Sequence, residues 1–117
     1  MEFRPLGRTG VSVSRFCFGA GMFGYFGNND EKECKKMVDH ALAEGINYFD
    51  TSDVYSHGES ETILGKALKG KRQDIILATK FSLPMDQNPN HKGNSRRWII
   101  EEVENSLRRL DTDYIDL

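Results

Sequence analysis

Along the chain, short apolar runs of strand type give way repeatedly to apolar stripes at helical spacing. Leu6 and Val11-Ser12-Val13 flank a turn at Arg8-Thr9-Gly10, which predicts a hairpin over Arg4 to Ser14. Arg15-Phe16-Cys17-Phe18-Gly19 is a mostly apolar run and predicts a strand, followed by a glycine-rich loop. Asp30 then stands at a helix cap with Glu33 three residues on, a capping-box-like start. Cys34, Met37, Val38, Ala41 and Leu42 fall on one face at helical spacing, and Gly45 ends the helix.

The same pairing of strand and helix recurs. Ile46-Asn47-Tyr48-Phe49 predicts a strand ending at Asp50, and a polar loop runs to about Gly58. Ile63, Leu64, Ala67 and Leu68 form the buried stripe of the next helix, which stops near Gly70. Asp74 to Lys80 is the third strand, and its continuous apolar run suits a sheet covered on both faces. A polar loop from Ser82 to Asn94 precedes a helix whose inward residues are expected to be Ile99, Val103, Leu107 and Leu110. Tyr114-Ile115-Asp116-Leu117 reads as the opening of a fourth strand.

Strand followed by helix, repeated, means α/β architecture with parallel strands and helices packed outside. Two arrangements fit: an open doubly wound sheet, or part of a closed eight-stranded barrel. Periodicity does not separate them.

Length and charge narrow the function more than the fold. With 117 residues the chain makes one small domain. Its 16 Lys plus Arg against 18 Asp plus Glu give a net charge of −2, which points to neither nucleic acid nor an anionic membrane. Apolar stretches such as Ile75-Ile76-Leu77-Ala78 are far too short to span a bilayer. Met1 to Pro5 carries no apolar signal core, so a cytoplasmic location is expected. Cys17 and Cys34 have no CxxC spacing and no ligand-spaced His, and both are expected to be buried free thiols.

Gly19-Ala20-Gly21-Met22-Phe23-Gly24 matches G-x-G-x-x-G after a strand, and Asp50 ends the next strand. That is the strongest argument for a dinucleotide-binding open sheet. In that fingerprint the third glycine lies in the first helical turn, where amides meet the pyrophosphate. Here Tyr25-Phe26-Gly27-Asn28-Asn29 follows, and helical spacing starts only after Asp30. These glycines suit a turning loop at a barrel rim better.

The stretch Asp50-Thr51-Ser52-Asp53-Val54-Tyr55-Ser56-His57-Gly58-Glu59-Ser60-Glu61, taken with Ala78-Thr79-Lys80-Phe81, resembles the signature of the aldo-keto reductases. In that family an Asp closes the second strand, a Tyr follows five residues later, and a Lys closes the third strand. Arg4-Pro5-Leu6-Gly7 with Thr9 to Ser14 is similar to the family's hairpin, which covers the bottom of the barrel. The resemblance implies a (β/α)8 TIM barrel, of which residues 1–117 supply the hairpin and about three and a half βα units as a single incomplete domain. It implies Asp50, Tyr55 and Lys80 as catalytic residues, and Gly21, Met22, Phe23 and Asp50 as the part of an NADP(H) site present here.

The residue types fit that chemistry. Reducing a carbonyl requires a hydride and a proton on the oxygen. A phenol can give the proton, but with an ordinary pKa of ~10 it does so sluggishly at pH 7. A neighbouring ammonium favours phenolate, and Lys80 is expected to do this for Tyr55. Lys80 would itself be costly in a barrel mouth without a partner, and Asp50 offers one. Adjacent strands lie roughly 4.8 Å apart, which brings Asp50 and Lys80 within pairing reach.

Other residues in the stretch have simpler readings. His57 is expected to be an exposed loop residue. Glu59 and Glu61 open the second helix, where negative charge complements the dipole. Trp98 is expected to pack on or beside the third helix, outside any substrate pocket. No His/Cys/Asp/Glu cluster has metal spacing, so no metal is expected.

The resemblance also implies a fourth catalytic residue, a His near the end of the fourth strand, and most of the cofactor site beyond Leu117. A cytosolic oxidoreductase acting on a small-molecule aldehyde or ketone is expected, with residues 1–117 inactive alone. The alternative is a nucleotide-sensing binding or regulatory subunit, as in the channel-associated beta subunits of the same family. Self-association of residues 1–117 is expected from open strand edges and an inward apolar face including Phe16, Phe18, Phe49, Ile76 or their strand neighbours.

Overall fold

The Asp30 carboxylate accepts hydrogen bonds from the backbone N–H groups of Lys32 and Glu33 at 2.9 and 3.1 Å. It satisfies two of the donors that a helix start leaves free, an arrangement worth about 1 kcal/mol. In the computed structural model, which describes residues 1–117, the helix so capped is α1, Glu31–Ala43. Two more helices follow, α2 at Glu59–Leu68 and α3 at Arg96–Leu110.

Five short strands accompany them. β1 (Phe3–Pro5) and β2 (Ser12–Ser14) form the expected antiparallel hairpin. β3 (Cys17–Gly19), β4 (Tyr48–Asp50) and β5 (Ile76–Ala78) form a parallel sheet in the order β3-β4-β5. The apolar runs in the sequence extend beyond the paired residues. Arg72–Asp74, for example, turn as a single 3-10 segment before β5 begins.

Register decides which side chains are covered. Phe18, Phe49 and Leu77 lie side by side across the sheet. They form or pack against the core with Val38, Ala41, Leu64 and Leu68. Because side chains alternate along a strand, the neighbouring rows, Cys17/Tyr48/Ile76 and Gly19/Asp50/Ala78, point away from the helices. This corrects the expected inward face in part: Phe18 and Phe49 lie on the helix side, with Phe49 fully buried, whereas Ile76 lies on the face turned away from the helices, as expected. Cys17 belongs to that face and is exposed, whereas Cys34 on α1 is buried as expected. Met37, on the edge of the α1 stripe, is also exposed.

The buried stripe of α3 includes the expected Leu110 but is otherwise rotated from the expected one. Trp98, Glu102, Ser106 and Leu110 are buried, and Val103 is exposed. The polar members of the stripe are covered because a cation reaches them: Arg109 Nη2 donates to Glu102 Oε1 at 2.5 Å and to Ser106 Oγ at 3.2 Å. Glycine permits the close contact of α2 with α3. A Cβ added to Gly65 would collide with the backbone carbonyl of Leu110.

The last residues lie beside β5. Asp116 and Leu117 donate backbone N–H groups to the Leu77 carbonyl, and Thr79 donates to that of Leu117. Arg72 holds this segment through Tyr114 O at 2.9 Å and Asp116 Oδ2 at 2.7 Å, with its guanidinium 3.7 Å from the Tyr114 ring centroid. No helix is long and apolar enough to cross a membrane.

Candidate active site

The C-terminal ends of β4 and β5 open on the same side of the sheet. Asp50 closes β4, and Lys80 follows β5 by two residues. Lys80 Nζ donates to Asp50 Oδ2 at 2.7 Å and to the Thr51 carbonyl at 2.6 Å, and it lies 3.4 Å from the Tyr55 hydroxyl. An ammonium has three donors, and here each has an acceptor. Burial alone would lower the Lys80 pKa, but its bonds to Asp50 and Tyr55 outweigh that and hold it above the ordinary value. The three residues expected from the sequence therefore meet at one point.

Tyr55 is delivered by an unusual turn. Ser56 and His57 adopt left-handed backbone angles (φ 47° and 53°), and Gly58 follows at φ 89°. Non-glycine residues in this region cost of order 1–3 kcal/mol each and persist only where surroundings hold them. Two bonds from the loop after β3 do so. Tyr25 N–H donates to Glu59 Oε2 at 2.9 Å, and Phe26 N–H donates to Ser56 Oγ at 3.3 Å. Ser60, fully buried, donates to the Ala20 carbonyl at 2.7 Å and lies 2.9 Å from Thr51 Oγ1. The glycine loop is thus fastened to the segment that carries Tyr55. His57 itself is exposed.

Of the loop residues expected to meet a nucleotide, Gly21 lies against the site. A Cβ there would sit 3.6 Å from the Tyr55 ring, so the loop runs directly against that ring. Met22 is exposed, whereas the Phe23 side chain belongs to the core and leaves only its main chain for a ligand. Cys17 shares the open face of the sheet. Partial burial, followed by the nearby Asp50 charge, pushes its thiol pKa up to about 11.

Behind the site lies a group of buried charges whose role the sequence left unread. Glu61 is fully buried. Its Oε1 accepts from Thr79 Oγ1 at 2.6 Å and its Oε2 from Arg109 Nε at 2.5 Å. More than helix-dipole complementation, it is a buried carboxylate paired with the partly exposed Arg109. One signal was present in the sequence: Glu61 shares the helical stripe of Leu64 and Leu68, an apolar face on which a carboxylate needs a partner. Asp53 is also buried, and its Oδ2 has no hydrogen-bond partner. Burial, then the Glu102 charge, raises its pKa to about 6 against the opposing bonds from Val54 N–H and the Ser52 hydroxyl. Trp98 is buried on α3 and stacks on His91 with ring centroids 4.8 Å apart, away from the Lys80 cluster.

This geometry has counterparts among known proteins. Aldo-keto reductase YhdN of Bacillus subtilis is 45% identical over the whole of this chain, which covers 37% of that protein. A protein of Oryza sativa subsp. japonica described as "Probable voltage-gated potassium channel subunit beta" is 40% identical, with 36% of its length covered. Among solved structures, aldo-keto reductase AKR11C1 from Bacillus halodurans in its holo form superposes with a TM-score of 0.87 at 44% identity. That superposition covers 98% of this chain and 38% of the other. The chain thus spans well under half the length of these relatives, and its strands and helices correspond to the first part of a TIM barrel. The profile of the Aldo/keto reductase family matches residues 15–117, and the chain belongs to that family.

Proposed function

We propose that the protein carrying these residues is an NADP(H)-dependent oxidoreductase that reduces aldehydes or ketones, with Tyr55 as proton donor. The observation that carries this reading is the Lys80 ammonium bonded to Asp50 and the Thr51 carbonyl while facing the Tyr55 hydroxyl. A cation there stabilises the negative charge that develops on the phenol oxygen as its proton passes to the carbonyl oxygen. Asp50 fixes the lysine in place and balances its charge.

The residues present fit a nicotinamide nucleotide. The loop passes against the Tyr55 ring at Gly21 and leaves Met22 exposed, and Asp50 and Lys80 are partly open at the sheet's edge. Gly21, Met22, the main chain of Phe23, and Asp50 would hold it. When bound, the nucleotide supplies the hydride. The chain's own residues place a proton on the oxygen and confine the carbonyl beside Tyr55.

A second reading, a nucleotide-sensing regulatory subunit, draws on the 40% identity to the rice channel-subunit protein. Both readings include nucleotide binding, so turnover separates them. NADPH oxidation by the full-length protein, followed with a panel of small aldehydes, is expected to show saturable reduction. Nucleotide binding without any turnover across the panel would favour the regulatory reading.

A further inference from the structure

Tyr55 and Lys80 sit on different segments, and the Glu61–Arg109 ion pair touches both. Glu61 holds Thr79, the residue before Lys80, through its 2.6 Å bond. Its other oxygen holds Arg109 at 2.5 Å. The Arg109 stem in turn packs on Gly58, three residues after Tyr55, where an added Cβ would lie 2.7 Å from the arginine Cδ. Gly58 ends the left-handed run that begins at Ser56. A backbone bond from Asp53 N–H to the Lys80 carbonyl, 3.1 Å, ties the same two segments closer to the site.

We infer that Glu61 and Arg109 are positioning residues that fix the Tyr55 turn against the β5 end and so set the separation of the phenol and the ammonium. The inference rests on the proposed reductase function, though the geometry it concerns does not. Strained left-handed residues persist only where packing holds them. On the α3 side, the fork of Arg109 does so, using Nε for Glu61 and Nη2 for Glu102 and Ser106. A lysine at that position would keep the charge and lose the fork. Arg109→Lys therefore separates positioning from charge balance.

The test uses the full-length protein carrying these residues, with Glu61→Gln and Arg109→Lys compared with wild type. NADPH-dependent reduction of 4-nitrobenzaldehyde gives kcat and KM, and fluorescence gives the NADPH Kd. The NOE from the Lys80 ε-methylene to the Tyr55 ring, in protein with labelled Lys and Tyr, reports their separation directly. Each variant is expected to lose tenfold or more in kcat, with KM and Kd within twofold of wild type and the NOE at most half as strong. Either readout unchanged in a folded variant overturns the inference, as does wild-type kcat in Arg109→Lys. If wild type shows no turnover, the functional reading fails and the NOE alone decides the positioning. If Glu61→Gln does not fold, Arg109→Lys, which keeps a cation between the carboxylates, carries the same readouts.

Discussion

Lys80 Nζ stands 2.7 Å from Asp50 Oδ2 across two neighbouring parallel strands, and the side chains are 47% and 29% exposed. An isolated pair this open to solvent adds little to stability, typically under ~1 kcal/mol. Its value lies in aim. With Asp50 and the Thr51 carbonyl taking two of the lysine's donors, the third is directed toward the Tyr55 hydroxyl. Lys80→Met should leave the fold intact and deprive that hydroxyl of its neighbouring cation.

Tyr55→Phe in the full-length protein removes the proton donor and keeps the ring that packs against Gly21. General acid-base assistance contributes ~10²–10⁴-fold, so kcat for aldehyde reduction should fall by at least that order, with the NADPH Kd within twofold. Near-normal turnover would move the proton-donor role elsewhere.

Asp53 makes stability depend on pH in a defined direction. Its folded pKa of about 6 lies above an unfolded value of ~3.9, so folding takes up a proton between those values. The folded state is therefore penalised as pH rises from ~4 through ~6, by on the order of 3 kcal/mol at most. Asp53→Asn removes that dependence. Urea unfolding at pH 4.5 and pH 7 should show a larger stability loss in wild type than in the variant. Equal pH dependence in both would place the Asp53 titration at its ordinary value.

Part of the candidate site could be read in the sequence because Asp50 and Lys80 sit at or just beyond strand ends. A strand-helix rhythm places the strand ends that carry Asp50 and Lys80 on one rim, whereas Tyr55, in the turn after β4, is singled out only by the resemblance to the aldo-keto reductase signature. The α3 stripe could not be read in the same way. Spacing alone favoured Ile99 and Val103 as inward residues, but Arg109 brings Glu102 and Ser106 inward by long-range pairing. Phe49 was misplaced for a related reason. In a strand covered on both faces, an apolar run does not say which residues look toward the helices, and register alone decides it. The left-handed turn at Ser56 and His57 left no local mark, since neither residue is glycine.

Gly65 gives a packing test independent of the chemistry. Alanine is the better helix former by about 1 kcal/mol, yet its Cβ would meet the Leu110 carbonyl and carbon, backbone atoms with little room to yield. Overpacking of this kind costs typically 1–3 kcal/mol. Gly65→Ala should lower the thermal midpoint despite its higher helix propensity. A raised midpoint would mean that α2 and α3 can part without cost.

Residues 1–117 as a separate polypeptide should self-associate. β3 pairs only with β4, which leaves its outer edge with unpaired backbone groups. Phe16 lies immediately before that edge and is 62% exposed, and Leu117, beside the opposite strand, is 59% exposed. Open edges recruit strands from other chains, and natural proteins blunt them with charge. The core beneath the helices is well formed, with Phe49, Val38 and Leu64 fully buried, so association should proceed from a folded unit. Light scattering after size exclusion should therefore give a mass well above 13.3 kDa. Phe16→Lys, which places a charge at the edge, should shift the distribution toward monomer. A concentration-independent monomer with cooperative unfolding would show that the β3 edge is protected without any partner strand.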